Sequence, residues 1–159
     1  MIKVTLQDQT RNKNIPSHRP QGSMVNYLNT KRYYPNAILK VGTGATINMW
    51  SDRHPATVVE IIELKNGRTY IKIQEDNAER IDNNGFSESQ EYIYSPNLNG
   101  RIYFAEVIKV FAEDMKGFDV KTEGFILIPA EYNYKTKRFN KGYQNISIGH
   151  RSKYWDPSF

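Results

Sequence analysis

From Val41 onward the apolar positions fall in short runs, rich in β-branched and aromatic residues and separated by turn-forming residues. That pattern predicts strands rather than helices. Residues 45–49, 56–63 and 70–74 are three such runs, and Asn66-Gly67 between the second and third is the dipeptide a tight hairpin turn favours. Those two runs are expected to pair antiparallel. Glu91-Tyr92-Ile93-Tyr94 alternates polar and apolar, Asn99-Gly100 marks a turn, and residues 102–111 form the longest strand, giving another hairpin. Residues 124–128 and 145–148 complete a set of about six or seven strands. The expected fold is all-β, a small antiparallel β-barrel or rolled sheet. The segment 76–89 exceeds what a hairpin needs, and Asn83-Asn84-Gly85 inside it predicts a sharp reversal. A loop of that length on a small barrel is read as a binding element.

The first forty residues follow a different pattern. Residues 7–23 are rich in Gln, Asn, Arg, Pro, Ser and Gly and have neither strand nor helix periodicity, so they read as an extended arm. Ser23 is placed to cap one or two helical turns over residues 24–28, and Pro35 prevents a longer helix. The chain thus divides into an N-terminal basic arm with a short helix, residues 1–40, and a β-barrel domain, residues 41–159.

Charge sharpens this division. The net charge of +5 is distributed as seven basic residues to one acidic over 1–40, nine to fifteen over 41–134, and six to one over 135–159. Basic ends around an acidic middle argue against a protein that coats nucleic acid uniformly, which needs positive charge on a continuous surface. The ends either fold onto the acidic body, cross to a neighbour in a homo-oligomer, or meet as one patch for nucleic acid or a host protein. The absence of cysteine excludes disulfides and thiolate metal sites. No apolar run is long enough to span a bilayer and the N-terminus has no signal-like apolar core, so a cytoplasmic protein with no membrane partner is expected.

The chemistry concentrates between the first two strands, in Trp50-Ser51-Asp52-Arg53-His54-Pro55. An aromatic, a hydroxyl, a carboxylate, a guanidinium and an imidazole in one loop suit recognition more than turning. Three further polar clusters stand at strand ends or in loops: Gln74-Glu75-Asp76 with Arg80 and Asp82; Ser87-Glu88-Ser89-Gln90 leading into Tyr92; and Gly149-His150-Arg151 with Lys153 and Tyr154. In a hairpin barrel such clusters converge at one rim. Arg53, Arg80 and Arg151 then offer planar donor forks for phosphate, with His54 beside them, while Trp50, Tyr92 and Tyr154 offer faces for a base. The expected ligand is a nucleotide-type small molecule touched by Trp50, Ser51, Asp52, Arg53, His54, Gln74, Asp76, Arg80, Gln90, Tyr92, His150 and Arg151. Plainer roles compete: Arg80 as a loop clasp on Asp76, Trp50 as a barrel plug, and one of Tyr92 and Tyr94 as core.

Catalysis is the second reading. Ser51, Asp52 and His54 are triad residue types, but neighbours in an extended segment point in alternating directions and cannot form a triad locally. His54 with Asp76 or Glu88 would suit general acid–base hydrolysis of a phosphodiester or glycosidic bond. Gly42-Thr43-Gly44 lacks a following lysine and helix and reads as a turn, not a phosphate loop. Two histidines without a linked third ligand give no zinc set, and no cofactor is expected. Tyr154-Trp155-Asp156-Pro157-Ser158-Phe159 carries aromatics where chains usually fray, so the tail is expected to dock.

The run Val41-Gly42-Thr43-Gly44-Ala45-Thr46, the 50–58 segment, Gln74-Glu75-Asp76 with Arg80, Ser87-Glu88-Ser89-Gln90-Glu91-Tyr92 and the ending 148–159 resemble a group of small hypothetical proteins from bacteriophages and prophages. The resemblance covers about residues 41–159. It implies a phage accessory protein in the host cytoplasm, of the kind that inhibits or diverts host systems including defence, by analogy with those that sequester nucleotide signals. A virion structural protein is a further class with the same composition.

Overall fold

A computed structural model describes residues 2–3, 34–35, 38–113 and 121–157. The described elements are β1 (Ile2–Lys3), β2 (Tyr34–Pro35), β3 (Ile38–Leu39), β4 (Gly44–Asn48), β5 (Arg53–Glu63), β6 (Thr69–Glu75), β7 (Asn77–Arg80), β8 (Tyr92–Ser95), β9 (Ile102–Glu113), β10 (Lys121–Asn133), β11 (Arg138–Lys141) and β12 (Asn145–Ile148). No helix occurs among the described residues, and so none long and apolar enough to cross a membrane. The arm at 7–23 and the helical turns expected at 24–28 lie outside the described residues, as does the end of the tail at 158–159.

The protein is all-β, and one antiparallel sheet of order β11-β10-β9-β6-β5-β4-β12 forms a half-barrel. Its rolling follows from connectivity. β11 and β12 occupy opposite ends of the strand order, yet only residues 142–144 join them. A flat seven-strand sheet would hold its edges about 29 Å apart, whereas four Cα steps span at most about 15 Å. The sheet must therefore curl, and β10 and β12 do come into contact. The Gly142 N–H donates to the Pro129 carbonyl at 3.0 Å, and a Cβ at Gly142 would sit 2.7 Å from backbone atoms of Ala130.

Alternation sends Ala45, Ile47, Ala56, Val58, Ile71, Ile73, Tyr103, Ala105, Val107, Phe125, Leu127, Ile146 and Ile148 to the concave face, where they form one core with Leu39. Val59 is an extra residue between Val58↔Ile73 and Glu60↔Lys72, so the bulge returns Ile61 to the inner face opposite Ile71. Thr57, Tyr70, Lys72, Phe104 and Tyr132 face the other way.

Several sequence expectations change. The β5–β6 hairpin around Asn66-Gly67 forms as expected. The hairpin expected between residues 91–94 and 102–111 does not. β9 instead pairs with β6, setting Ala105 opposite Ile71 and Tyr103 opposite Ile73, which buries its apolar face on the core. β8 pairs with β7, inside the segment read as a loop, in the register Arg80↔Tyr92. Arg53, His54 and Pro55, also read as loop, begin β5, so the connection from β4 is only residues 49–52. At the other end of the chain, β1 pairs β3 and β2 pairs β10 at Gly124 and Phe125, so the start of the chain is fastened to the domain and Leu39 enters its core.

Candidate functional site

The start of β5, the end of β6, the β7–β8 hairpin and the chain after β12 meet at one end of the half-barrel. The Arg53 N–H donates to the Tyr154 carbonyl at 2.9 Å and the Tyr154 N–H returns the bond at 3.0 Å, so residues 151–157 dock as a strand-like tail. Three side-chain clasps hold the tail. Arg53 Nε donates to Ser152 Oγ at 3.1 Å and its guanidinium lies 4.8 Å over the Tyr154 ring. Gln90 pairs its amide with the Trp155 backbone, Nε2 to the carbonyl at 2.6 Å and the Trp155 N–H to Oε1 at 3.0 Å, while Tyr92 Oη donates to Oε1 at 2.9 Å. Asp52 Oδ1 accepts the Asp156 N–H at 2.7 Å.

On the outer face, Arg151 lies across Gly44. A Cβ there would be 3.0 Å from the guanidinium, and the bare backbone is what admits it. Its Nε contacts Asp76 Oδ2 at 3.1 Å, and Nη2 donates to Thr57 Oγ1 at 3.0 Å and the Gly42 carbonyl at 3.3 Å. The Thr57 hydroxyl donates to Asp76 Oδ2 at 2.8 Å. On the inner side of the rim, Lys153 Nζ contacts His54 Nδ1 at 2.9 Å, and Glu75 Oε1 stands 3.2 Å from the same nitrogen. Burial first, then the Lys153 charge, hold the His54 pKa below its ordinary value against the opposing pull of Glu75 and Asp52. Burial likewise lowers Lys153, with Glu75 and Asp52 opposing. A neutral imidazole beside the lysine fits the lowered His54 value.

Two recesses open beside this cluster, and Asp76 lines both. One, of about 360 Å³, has walls of Tyr92, Ile93, Tyr94 and Pro96 facing Thr57 and Arg151. The other, of about 300 Å³, is polar, with His54, Glu75, Asn97, Asn99, Arg101 and Lys153 among its walls. The Lys153 N–H donates to Tyr94 Oη at 3.0 Å and joins them.

The structure brings His54, Asp76, Tyr92 and Arg151 to these recesses. Other residues of the expected site stand behind or away from them. Arg80 pairs with Asp82 at 2.8 and 2.9 Å, not with Asp76. That bond, with the Glu91 and Asn84 N–H groups, holds the Asp82 carboxyl far below its usual range. A two-residue separation on one turn makes Asp82 the nearer partner. Gln74 Nε2 donates to the Leu98 and Gly100 carbonyls at 3.0 and 3.3 Å, anchoring the 97–100 turn. Trp50 is 65% exposed and lines neither recess, so it is no barrel plug; Ser51 is half-buried in the same bend. His150 is exposed, and its carbonyl accepts from Thr46 Oγ1 at 2.9 Å. The carboxylate beside His54 is Glu75, where Asp76 or Glu88 was expected. Glu75 and Lys153 stood in the expected polar clusters but not among the expected ligand contacts, and Tyr94, Asn97, Asn99 and Arg101 were not expected at the site. The available signal was that Glu75 ends β6 and Arg101 precedes β9 beside the Asn99-Gly100 turn. Among the described residues no cluster of metal-ligating side chains occurs.

Comparison with protein-family models, with curated proteins and with solved structures finds no match to this chain.

Proposed function

We propose that the protein is a binding module that takes a nucleotide-type or other phosphate-bearing ligand at the mouth of the half-barrel and holds it without turnover. The observation that carries this reading is the pair of recesses sharing Asp76, one walled by tyrosines and the other by cations and amides. Tyr92 and Tyr94 offer faces for a base, Lys153 and Arg101 charge for phosphate, and Asn97 and Asn99 donors and acceptors for sugar hydroxyls. Their volumes fall within the range of about 300–1,000 Å³ common to small-molecule sites. Arg53 and Arg80 line neither recess, and Arg151 lines the tyrosine-walled one while paired with Asp76. With the phage resemblance, this ligand class suits an accessory protein that sequesters a host nucleotide signal.

The contact of His54 with Lys153 and Glu75 supports a second reading, acid–base hydrolysis of such a ligand. One experiment separates the two. The folded protein is incubated with cyclic dinucleotides, cyclic trinucleotides and cyclic ADP-ribose isomers, washed, heat-denatured, and the released material identified by mass spectrometry. Binding without turnover returns a ligand intact. A cleaved product in the wash or in the released material, lost in His54→Ala, replaces the first reading with the second, and neither retained ligand nor cleaved product refutes both.

A further inference from the structure

A further recess lies elsewhere, on the sheet face opposite the core. It measures about 510 Å³ and runs across β5, β6, β9, β10 and β11. Its floor is aromatic. Tyr70 and Phe139 stack with centroids 3.8 Å apart and planes 7° from parallel, Tyr132 meets Phe139 at 4.9 Å, and Phe104 meets Phe139 edge-on at 5.4 Å. Tyr70 and Phe104 are buried beneath Phe139, whereas Tyr134, set edge-on to Tyr132 at 4.9 Å, is 70% exposed. Sheet faces exposed to water are ordinarily polar. A run of rings at the solvent face calls for an occupant.

The charge around it says which kind. Arg68, Lys72, Lys137 and Arg138 border the recess, against Glu60 as the acid of its lining. Arg68 is bound to Glu106 at 3.1 Å and Lys72 stands 4.0 Å from Glu60. Lys137 and Arg138 project from the β10–β11 turn, in a stretch from Tyr132 to Trp155 that holds six basic residues and no acidic one. The turn is fixed: Asn133 Oδ1 accepts the N–H groups of Lys135 and Thr136 at 2.9 and 3.1 Å, and Lys137 takes a φ of 55°. The cations are therefore presented on a set scaffold beside the rings.

We infer that this face binds single-stranded nucleic acid, with bases stacking on Tyr134, Tyr132 and Phe139 and the phosphates running along Lys137 and Arg138. Exposed rings combined with a cationic border are what sequence-tolerant single-strand binding requires. An acidic peptide would match the charge but not the stacked planar floor. The site lies on the opposite sheet face from the core and is independent of the ligand proposed for the mouth.

Fluorescence anisotropy with labelled dT20 and U20 tests this on the full chain. The expected result is saturable binding of one or both that weakens with salt, with a log–log slope of about −0.7 per neutralised phosphate. Tyr134→Ala is expected to weaken it about tenfold. The double variant Lys137→Glu, Arg138→Glu should flatten the salt slope. Both changes are at exposed side chains, and circular dichroism checks that the variants are folded. Absence of binding, or binding unchanged in both variants, overturns the inference. So does a concentration-dependent dimer that is lost in Tyr134→Ala and takes up no oligonucleotide, since the occupant is then a second copy.

Discussion

Arg151 and Asp76, seventy-five residues apart in sequence, form an ion pair of 3.1 Å with the Thr57 hydroxyl bonded to both. The Asp76 side chain is 6% exposed and that of Arg151 is 35% exposed, so the carboxylate depends on this partner more than the guanidinium does. Removing Arg151 leaves a desolvated charge held by one hydroxyl. Arg151→Ala is expected to cost about 1–2 kcal/mol, discounted from a fully buried pair for the exposure of the arginine. Asp76→Asn should cost less, and urea denaturation of both singles and the double gives the coupling. Additive losses would show that the pair does not hold the tail to the rim.

Gln90 holds the Trp155 backbone through both ends of its amide. Gln90→Ala is expected to lose both bonds to the Trp155 backbone, worth about 1–2 kcal/mol of local stability, together with those to Tyr92 Oη and the Ser87 carbonyl, and to release the tail. Trypsin should then cut after Lys153 faster than in the parent, with the global melting midpoint little changed. Equal cleavage rates would mean that Arg53 and Asp52 suffice.

The His54 imidazole is held below its ordinary pKa chiefly by burial and by Lys153. The unfolded chain therefore binds this proton more readily than the fold does, in the window from the folded value up to about 6.5. Stability rises with pH across that window, and the penalty is complete below it. Melts between pH 5 and 7 should show a steeper rise for the parent than for His54→Gln. Parallel curves would contradict the placement of a neutral imidazole against the lysine.

The β10–β11 ladder runs on to Gly142, where an added Cβ would meet backbone atoms of Ala130 at 2.7–2.8 Å. Neither side of that contact is a flexible side chain. Gly142→Ala is expected to destabilise by about 3 kcal/mol, read as a lowered urea midpoint. A shift below a quarter of that would indicate that the two backbones do not approach so closely at Gly142.

The sequence disclosed the elements whose side chains alternate between core and surface and hid those held by backbone pairing alone. The β5–β6 hairpin was legible because Asn66-Gly67 lies between two β-branched runs. β7 has one apolar residue, Ala78, and β11 has one, Phe139, so neither carries a periodic signal, and each exists through its partner strand. At the site, residue types were readable and partners were not. Arg53, Arg80 and Arg151 are good phosphate forks in isolation. The fold gives them to Ser152 and Tyr154, to Asp82 and to Asp76, and the choices of Arg53 and Arg151 depend on where the tail docks. The aromatic face escaped notice because Tyr70, Phe104, Tyr132 and Phe139 come from four strands whose order the sequence did not show.

The central claim is a ligand at the mouth, and isothermal titration calorimetry of the same cyclic nucleotide panel tests it most directly. The account predicts saturable heat with at least one member at one ligand per chain, weakened tenfold or more, about 1.4 kcal/mol, by Lys153→Ala in a folded protein. No heat with any member, or binding untouched by Lys153→Ala, would contradict it.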